Sequence, residues 1–301
     1  VVKLTLSFLP SFSVDMGTWI AWAGRLAELG PAGFYSDTTW TQYTPGFLYW
    51  LWLIGKLGFL NEIAVKLPVI IADIVTGGII WYLVKKVDKN FAKLAFFLYV
   101  LNPAIVFNGS VWGQIDGIFA LFLILSAIAL IEKKNPALSG IFWGISLLTK
   151  PQAVALLPPL IFILLKKFSL KNIGVGIVAS LVTIVVGSLP FFPNDPFGGI
   201  LKLIAKMSGF YSYTSLFAFN IWALSGMWKP DGQFFWKIPL FWWGVILYVF
   251  SLGVIFLKYI GNIKDKAMPY LIFALASLVF FLFPTRVHER YLFPFLAFLL
   301  T

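Results

Sequence analysis

Eight apolar stretches, each long enough or nearly so to cross the ~30 Å hydrocarbon core of a bilayer, run along this chain. They lie at about 63–84, 92–108, 117–131, 136–149, 151–165, 172–190, 238–257 and 267–284. Backbone inside hydrocarbon must satisfy its own polar groups, so the expected fold class is all-α, a polytopic transmembrane helical protein. Composition agrees: 60% of the 301 residues are hydrophobic and only 12% charged, against about 25% charged in soluble domains. Mean hydropathy is +0.91. A water-soluble enzyme, a nucleic-acid binder and a disordered scaffold are thereby excluded. The absence of cysteine removes disulfides, thiolate metal sites and thiol catalysis. Val1 to Leu9 and Tyr291 to Thr301 read as pieces of two further spans, so residues 1–301 are expected to be one transmembrane domain truncated at both ends.

The net charge of +11 becomes a question of bilayer sides. Four short connections are dense in lysine: Lys85, Lys86, Lys89 and Lys93; Lys133 and Lys134; Lys166, Lys167 and Lys171; Lys258, Lys264 and Lys266. They are expected to face the cytoplasm, and two crossings separate each cluster from the next. Segments 11–62, 109–116, 191–237 and 285–290, with the corner at Lys150-Pro151, then fall on the extracytoplasmic face, together with all three arginines. The run Thr44 to Leu60 is apolar enough to cross, but crossing would put the Lys85 cluster outside. It is therefore expected to be an interfacial helix, with Tyr43, Tyr49, Trp50, Trp52 and Lys56 at the membrane surface.

Ionisable groups at a membrane edge are expensive and therefore candidate functional residues. Asp15 opens an amphipathic run carrying Trp19, Trp22, Leu26 and Leu29 on one face. It is either a first-turn carboxylate favoured by the helix dipole or a base poised beside a hydroxyl-bearing substrate. His288, the single histidine, stands in Arg286-Val-His-Glu-Arg-Tyr directly after a span. Two arginines there, where every cytoplasmic cation is lysine, favour a phosphate site over a solvated end-cap. Lys150, at a proline-broken helix, either snorkels or completes a phosphate clamp. Gln114 and Asp116 in Trp112-Gly-Gln-Ile-Asp116 either touch a sugar or cap the next helix. Asp73, on the helical face of Lys66, is expected to be buried, neutral or paired. Asp37 is expected on loop surface with a lesser role toward substrate. Gly140-Ile-Phe-Trp-Gly144 is a helix-packing pattern, and the sequon at Asn108 lies too close to the membrane to weigh.

Taken together, Tyr43-Thr-Pro-Gly, Lys66-Leu-Pro, Asn102-Pro103, Trp112-Gly-Gln-Ile-Asp116, Lys150-Pro-Gln152 and His288-Glu-Arg-Tyr-Leu-Phe-Pro294 resemble the GT-C membrane glycosyltransferases. The nearest likeness is to prokaryotic relatives of the second GPI-anchor mannosyltransferase. The resemblance implies a GT-C fold with a long extracytoplasmic first loop holding interfacial helices. It also implies an inverting transfer of one sugar, mannose by default, from a polyprenyl-phosphate carrier to a hydroxyl of a glycan or glycolipid acceptor. Asp15 matches the catalytic base, and His288 with Glu289 matches the motif that meets the donor phosphate. Arg286, Arg290 and Lys150 would join that phosphate site, and Trp112, Gln114, Asp116, Gln152, Tyr43, Asp37 and Glu289 would line the substrate. Neither a metal nor a cofactor is expected beyond the lipid-linked co-substrate, and partners are membrane lipid, donor and acceptor. The departure at Tyr43-Thr-Pro, where relatives often show Tyr-Pro-Pro, and at Gln42 bears on acceptor identity. The rival readings are a transporter or flippase of phosphate-bearing lipids and a non-catalytic subunit with the same fold.

Overall fold

The computed structural model describes residues 1–36, 41, 43–261, 265 and 267–301. Asp37, Gln42, Lys264 and Lys266 lie outside the described residues. The described chain is mostly helical, with one two-residue strand pairing inside the loop 209–239 and another between that loop and Val287–His288.

A short helix α1 (Val2–Leu6) precedes the paired helices α2 (Ser13–Leu29) and α3 (Pro45–Lys56). Then comes an alternating bundle: α4 (Glu62–Val84), α5 (Lys89–Val100), α6 (Pro103–Val106) with a wider-wound turn at Phe107–Trp112, α7 (Asp116–Ile131) and α8 (Pro136–Thr149). A tight turn at Pro151–Leu156 leads into α9 (Leu157–Lys167), α10 (Leu170–Ser188) and α11 (Pro196–Ser208). The chain closes with α12 (Leu240–Tyr259), α13 (Ala267–Leu282) and α14 (Phe293–Leu299). At the lysine end the returns are tight because polar side chains take up orphan amides: Asp88 caps α5, Asn135 caps α8 and Ser169 caps α10. Lys86 and Glu132, 2.8 Å apart, tie two of these returns together.

Helices α4, α10 and α12 are each long and apolar enough to cross a bilayer, and α5 is so only jointly with the segment after it, bent by 45° as a broken span or a re-entrant loop. A break at 101–102 interrupts the span expected over 92–108. Asn102 precedes Pro103, whose ring disfavours helical geometry in the residue before it and whose nitrogen has no proton to donate. Helices α7, α8 and α13 are shorter apolar elements. Large apolar side chains on α10 and α12, such as Val178, Val186, Phe250 and Leu257, stand more than half exposed. A face of that kind is a lipid-facing surface, and the protein is membrane-embedded.

The packing pattern at Gly140 is structural: a methyl group there would sit 2.1 Å from the Gly176 carbonyl, so α8 and α10 approach backbone to backbone. Pairing along α4 sets the height of the N-terminal segment. Lys3 meets Asp73 at 2.6 Å, the carbonyls of Ser7 and Leu9 accept from Lys66, and Ser11 donates to Glu62. Asp73 is thus buried and paired, as expected, and its partner is Lys3. Helices α2 and α3 pack on one another over Trp19, Trp22, Phe47 and Leu51. The bundle contacts of α3 are to one end: Thr44 donates to Leu147, Tyr49 to Gly187 and Trp50 to the carbonyl of Ala64.

Candidate functional site

At that same end, opposite the lysine returns, the starts of α4, α7 and α12 meet the ends of α8, α10 and α13. Asp15 lies in the first turn of α2. The Trp112 indole donates to its Oδ2 at 2.7 Å and the Gln114 amide at 2.8 Å. Gly113 makes this possible: its φ of +85° turns the chain where a side chain would strike Met16 at 2.8 Å. Tyr43, opening the approach to α3, donates to Gln114 Oε1 at 3.3 Å and so points the amide nitrogen at the carboxylate. Trp112 and Gln114, expected to line the substrate, both donate to Asp15.

The ring face of Trp112 meets a cation. The Arg290 guanidinium lies 5.4 Å from the indole ring and 3.9 Å from Asp116 Oδ2. Asp116, fully buried, takes Lys150 Nζ at 2.6 Å and Asn108 Nδ2 at 3.4 Å. Lys150 in turn stands 5.6 Å from the Tyr291 ring, and Gln152 donates to the Tyr291 hydroxyl at 2.5 Å. Burial pulls the Lys150 ammonium below the ordinary lysine range, with Asp116 opposing that drift.

Arg290 Nη1 is 3.1 Å from Glu289 and 3.3 Å from His288 Nδ1. Guanidinium only donates, so Nδ1 accepts and the imidazole proton sits on Nε2. Burial, followed by the Arg290 and Lys150 charges, pulls His288 down to about 2. His288 is therefore a neutral donor at ordinary pH. Several buried polar atoms here make no hydrogen bond: Arg290 Nε, Gln152 Oε1 and Glu289 Oε2. A cavity of about 10 Å³, room for one water, lies between Asp116, Lys150, Gln152, Ser277 and Tyr291. Tyr291, one residue past Arg290 in the same motif, joins the cluster through Gln152 and Lys150, although it carries no charge to mark it in an apolar sequence.

Arg286 is placed elsewhere. It pairs with buried Asp231 at 2.6 Å, donates to the Ser208 carbonyl at 2.7 Å and covers the Phe241 ring. The Thr285 hydroxyl adds 2.9 Å to the same carboxylate. The strand β1 (Ser215–Leu216) runs parallel to Val287–His288, and Tyr211 meets the His288 ring edge-on at 5.3 Å. The expected two-arginine clamp thus divides: Arg290 joins the cluster, while Arg286 fastens loop 209–239 to the segment bearing His288.

Among the described residues, no group of three His, Asp or Glu side chains is placed to share a metal ion. The arrangement as a whole is a carboxylate at the edge nitrogen of one indole and a guanidinium over its ring, with Lys150 joined to that guanidinium through Asp116, suited to proton removal beside an anion.

Comparison with known proteins supplies a family. The sequence model of the dolichyl-phosphate-mannose-protein mannosyltransferases matches residues 42–193, just over half of the chain, and the chain belongs to that family. Tyr43, Trp112, Gln114, Asp116, Lys150 and Gln152 lie within the match, whereas Asp15 and the His288 cluster lie outside it. No curated protein matches the chain.

Proposed function

We propose that this member of a membrane glycosyltransferase family moves one sugar, mannose by default, from a polyprenyl-phosphate carrier to a hydroxyl acceptor on the extracytoplasmic side, with inversion. The observation that carries the reading is Trp112, which holds Asp15 through its nitrogen while its ring faces Arg290. Acid and guanidinium thus meet the same indole, one at its edge nitrogen and the other over its ring, which supports an attacking oxygen and a leaving phosphate sharing one site.

In this mechanism the acceptor hydroxyl gives its proton to Asp15 as its oxygen bonds to the anomeric carbon. The bond from that carbon to the phosphate oxygen breaks, and its electron pair leaves with the phosphate. The donor phosphate carries one charge before transfer and gains a second during it. Lys150, Arg290 and the His288 Nε2–H therefore bind the transition state more strongly than the ground state. Asp116 and Glu289 act as counter-ions that keep the two cations in place before substrate arrives. The 10 Å³ cavity is too small for a hexose, so the sugar belongs on the Trp112 side of the cluster. The finer likeness to GPI-anchor mannosyltransferase relatives and a glycan or glycolipid acceptor are part of the same proposal.

The test is turnover in lipid nanodiscs with labelled polyprenyl-phosphate-mannose and an Asp15→Asn variant. A general base contributes ~10²–10⁴-fold, so activity should fall by that factor. Activity near wild type removes Asp15 from the role. Lipid translocation without sugar transfer by the wild-type protein overturns the transferase reading in favour of a flippase.

A further inference from the structure

The loop between α11 and α12 faces the site along one edge, and its other edge is apolar and uncovered. Strands β2 (Phe234–Phe235) and β3 (Ile238–Pro239) pair antiparallel as a hairpin whose tip is Trp236-Lys237. Both tip residues have positive φ, +48° and +64°, a geometry usually left to asparagine and glycine. A bulky Trp and a Lys held there need a reason. Trp236 is 82% exposed and Phe234 72%.

The hairpin is fastened to the first turn of a membrane-spanning helix. Leu240 donates to the Gln233 carbonyl, Phe241 to that of Asp231, and the Trp243 indole to that of Phe235 at 2.8 Å. Trp236 stacks on Phe235 at 6.0 Å, and Phe235 meets Trp243 edge-on at the same spacing. An aromatic column therefore runs without a break from the start of α12 to the hairpin tip. Since α12 enters hydrocarbon within its first turns, the tip lies at headgroup depth, where Trp is favoured. The charges fit the same surface: Lys229 and Lys237 are exposed, and the acid of segment 226–243, Asp231, is buried against Arg286.

We propose that the 234–239 hairpin is a lipid anchor that inserts Phe234 and Trp236 into the interface of the adjacent leaflet, with Lys229 and Lys237 meeting anionic lipid headgroups. The anchor fixes the loop that Asp231 and Arg286 fasten to His288, so it holds one wall of the site at the membrane surface.

The cysteine-free chain gives a clean test. A Trp236→Cys variant carries an environment-sensitive fluorophore, and a Lys202→Cys variant on α11 serves as the reference; neither substitution touches the core. In nanodiscs of phosphatidylcholine and phosphatidylglycerol, the label at 236 should emit blue-shifted and be quenched by lipids brominated high on their acyl chains. Emission at 236 like that at 202, without quenching, overturns the anchor. Replacing phosphatidylglycerol by phosphatidylcholine, or both lysines by glutamine, should weaken quenching at 236 about twofold. Quenching unchanged by either removes the anionic headgroups from the proposal.

Discussion

Asp15 and Trp112, 97 residues apart in sequence, meet through one hydrogen bond of 2.7 Å from indole nitrogen to carboxylate. Trp112→Phe keeps an aromatic ring beneath Arg290 and deletes only that donor. Losing a hydrogen bond to a charged partner costs about 1.5–3 kcal/mol, so turnover should fall roughly 10- to 100-fold by the rate relation. Donor KM should stay near the wild-type value, because Arg290 keeps its ring. Steady-state kinetics with varied donor checks this, and a change confined to donor KM would place Trp112 on the phosphate instead of on the base.

The Lys150–Asp116 pair separates folding from chemistry. Both groups are buried, and removing one partner leaves an uncompensated charge that costs about 3–5 kcal/mol. Asp116→Asn should therefore lower the melting temperature sharply in detergent. The double replacement Asp116→Leu with Lys150→Met removes both charges and should recover most of that stability. It should nevertheless stay inactive, since the departing phosphate has lost a cation. A stable and active double variant would take Lys150 out of the mechanism.

How much of this was legible in the sequence depends on the length scale of the cause. The spans follow from runs of apolar residues, a local property, and the lysine returns set their alternation. Asp15 and the His288 segment were found because isolated ionisable groups stand out in apolar sequence. Partner choice was not legible, because it depends on residues far apart in the chain. Arg286 and Arg290 look alike four residues apart, yet the positive φ at Arg286 turns it to Asp231, 55 residues upstream. Lys66 and Asp73 share a helical face, but Lys3 reaches the aspartate first. The role of Gln114 needed Tyr43, 71 residues before it, to show which way the amide points.

Protonation of His288 should leave a signature in stability and none in catalysis near neutrality. Its folded-state pKa, pulled down to about 2 by burial and then by Arg290 and Lys150, lies below the unfolded value of about 6.5. The unfolded chain therefore binds more protons. The stability associated with neutral His288 is complete above pH 6.5 and is lost as pH falls below it, by up to about 1.4 kcal/mol per pH unit. Melting curves from pH 7.5 to 5 should show wild type losing stability faster than His288→Asn. Parallel curves would mean that the imidazole already carries a proton in the fold. The pH–rate profile should show no inflection that disappears in the same variant.

Arg286 and Arg290 make the most discriminating comparison, because sequence alone gives them one role and the structure gives them two. Arg290→Gln removes the cation beside Trp112 and Asp116, so donor KM should rise and turnover should fall together. Arg286→Gln leaves that cluster intact and breaks the tie from Asp231 to the His288 segment. Its first effect should be faster proteolysis within 209–239 in the folded protein, as the loop loses its fastening. Turnover should drop modestly, and donor KM should change less than twofold. Asp231→Asn should reproduce the Arg286 phenotype, since the two side chains act as one contact. Limited proteolysis with donor titration on all three variants decides the matter: a donor KM raised equally by Arg286→Gln and Arg290→Gln, with Asp231→Asn silent, would restore the two-arginine phosphate clamp.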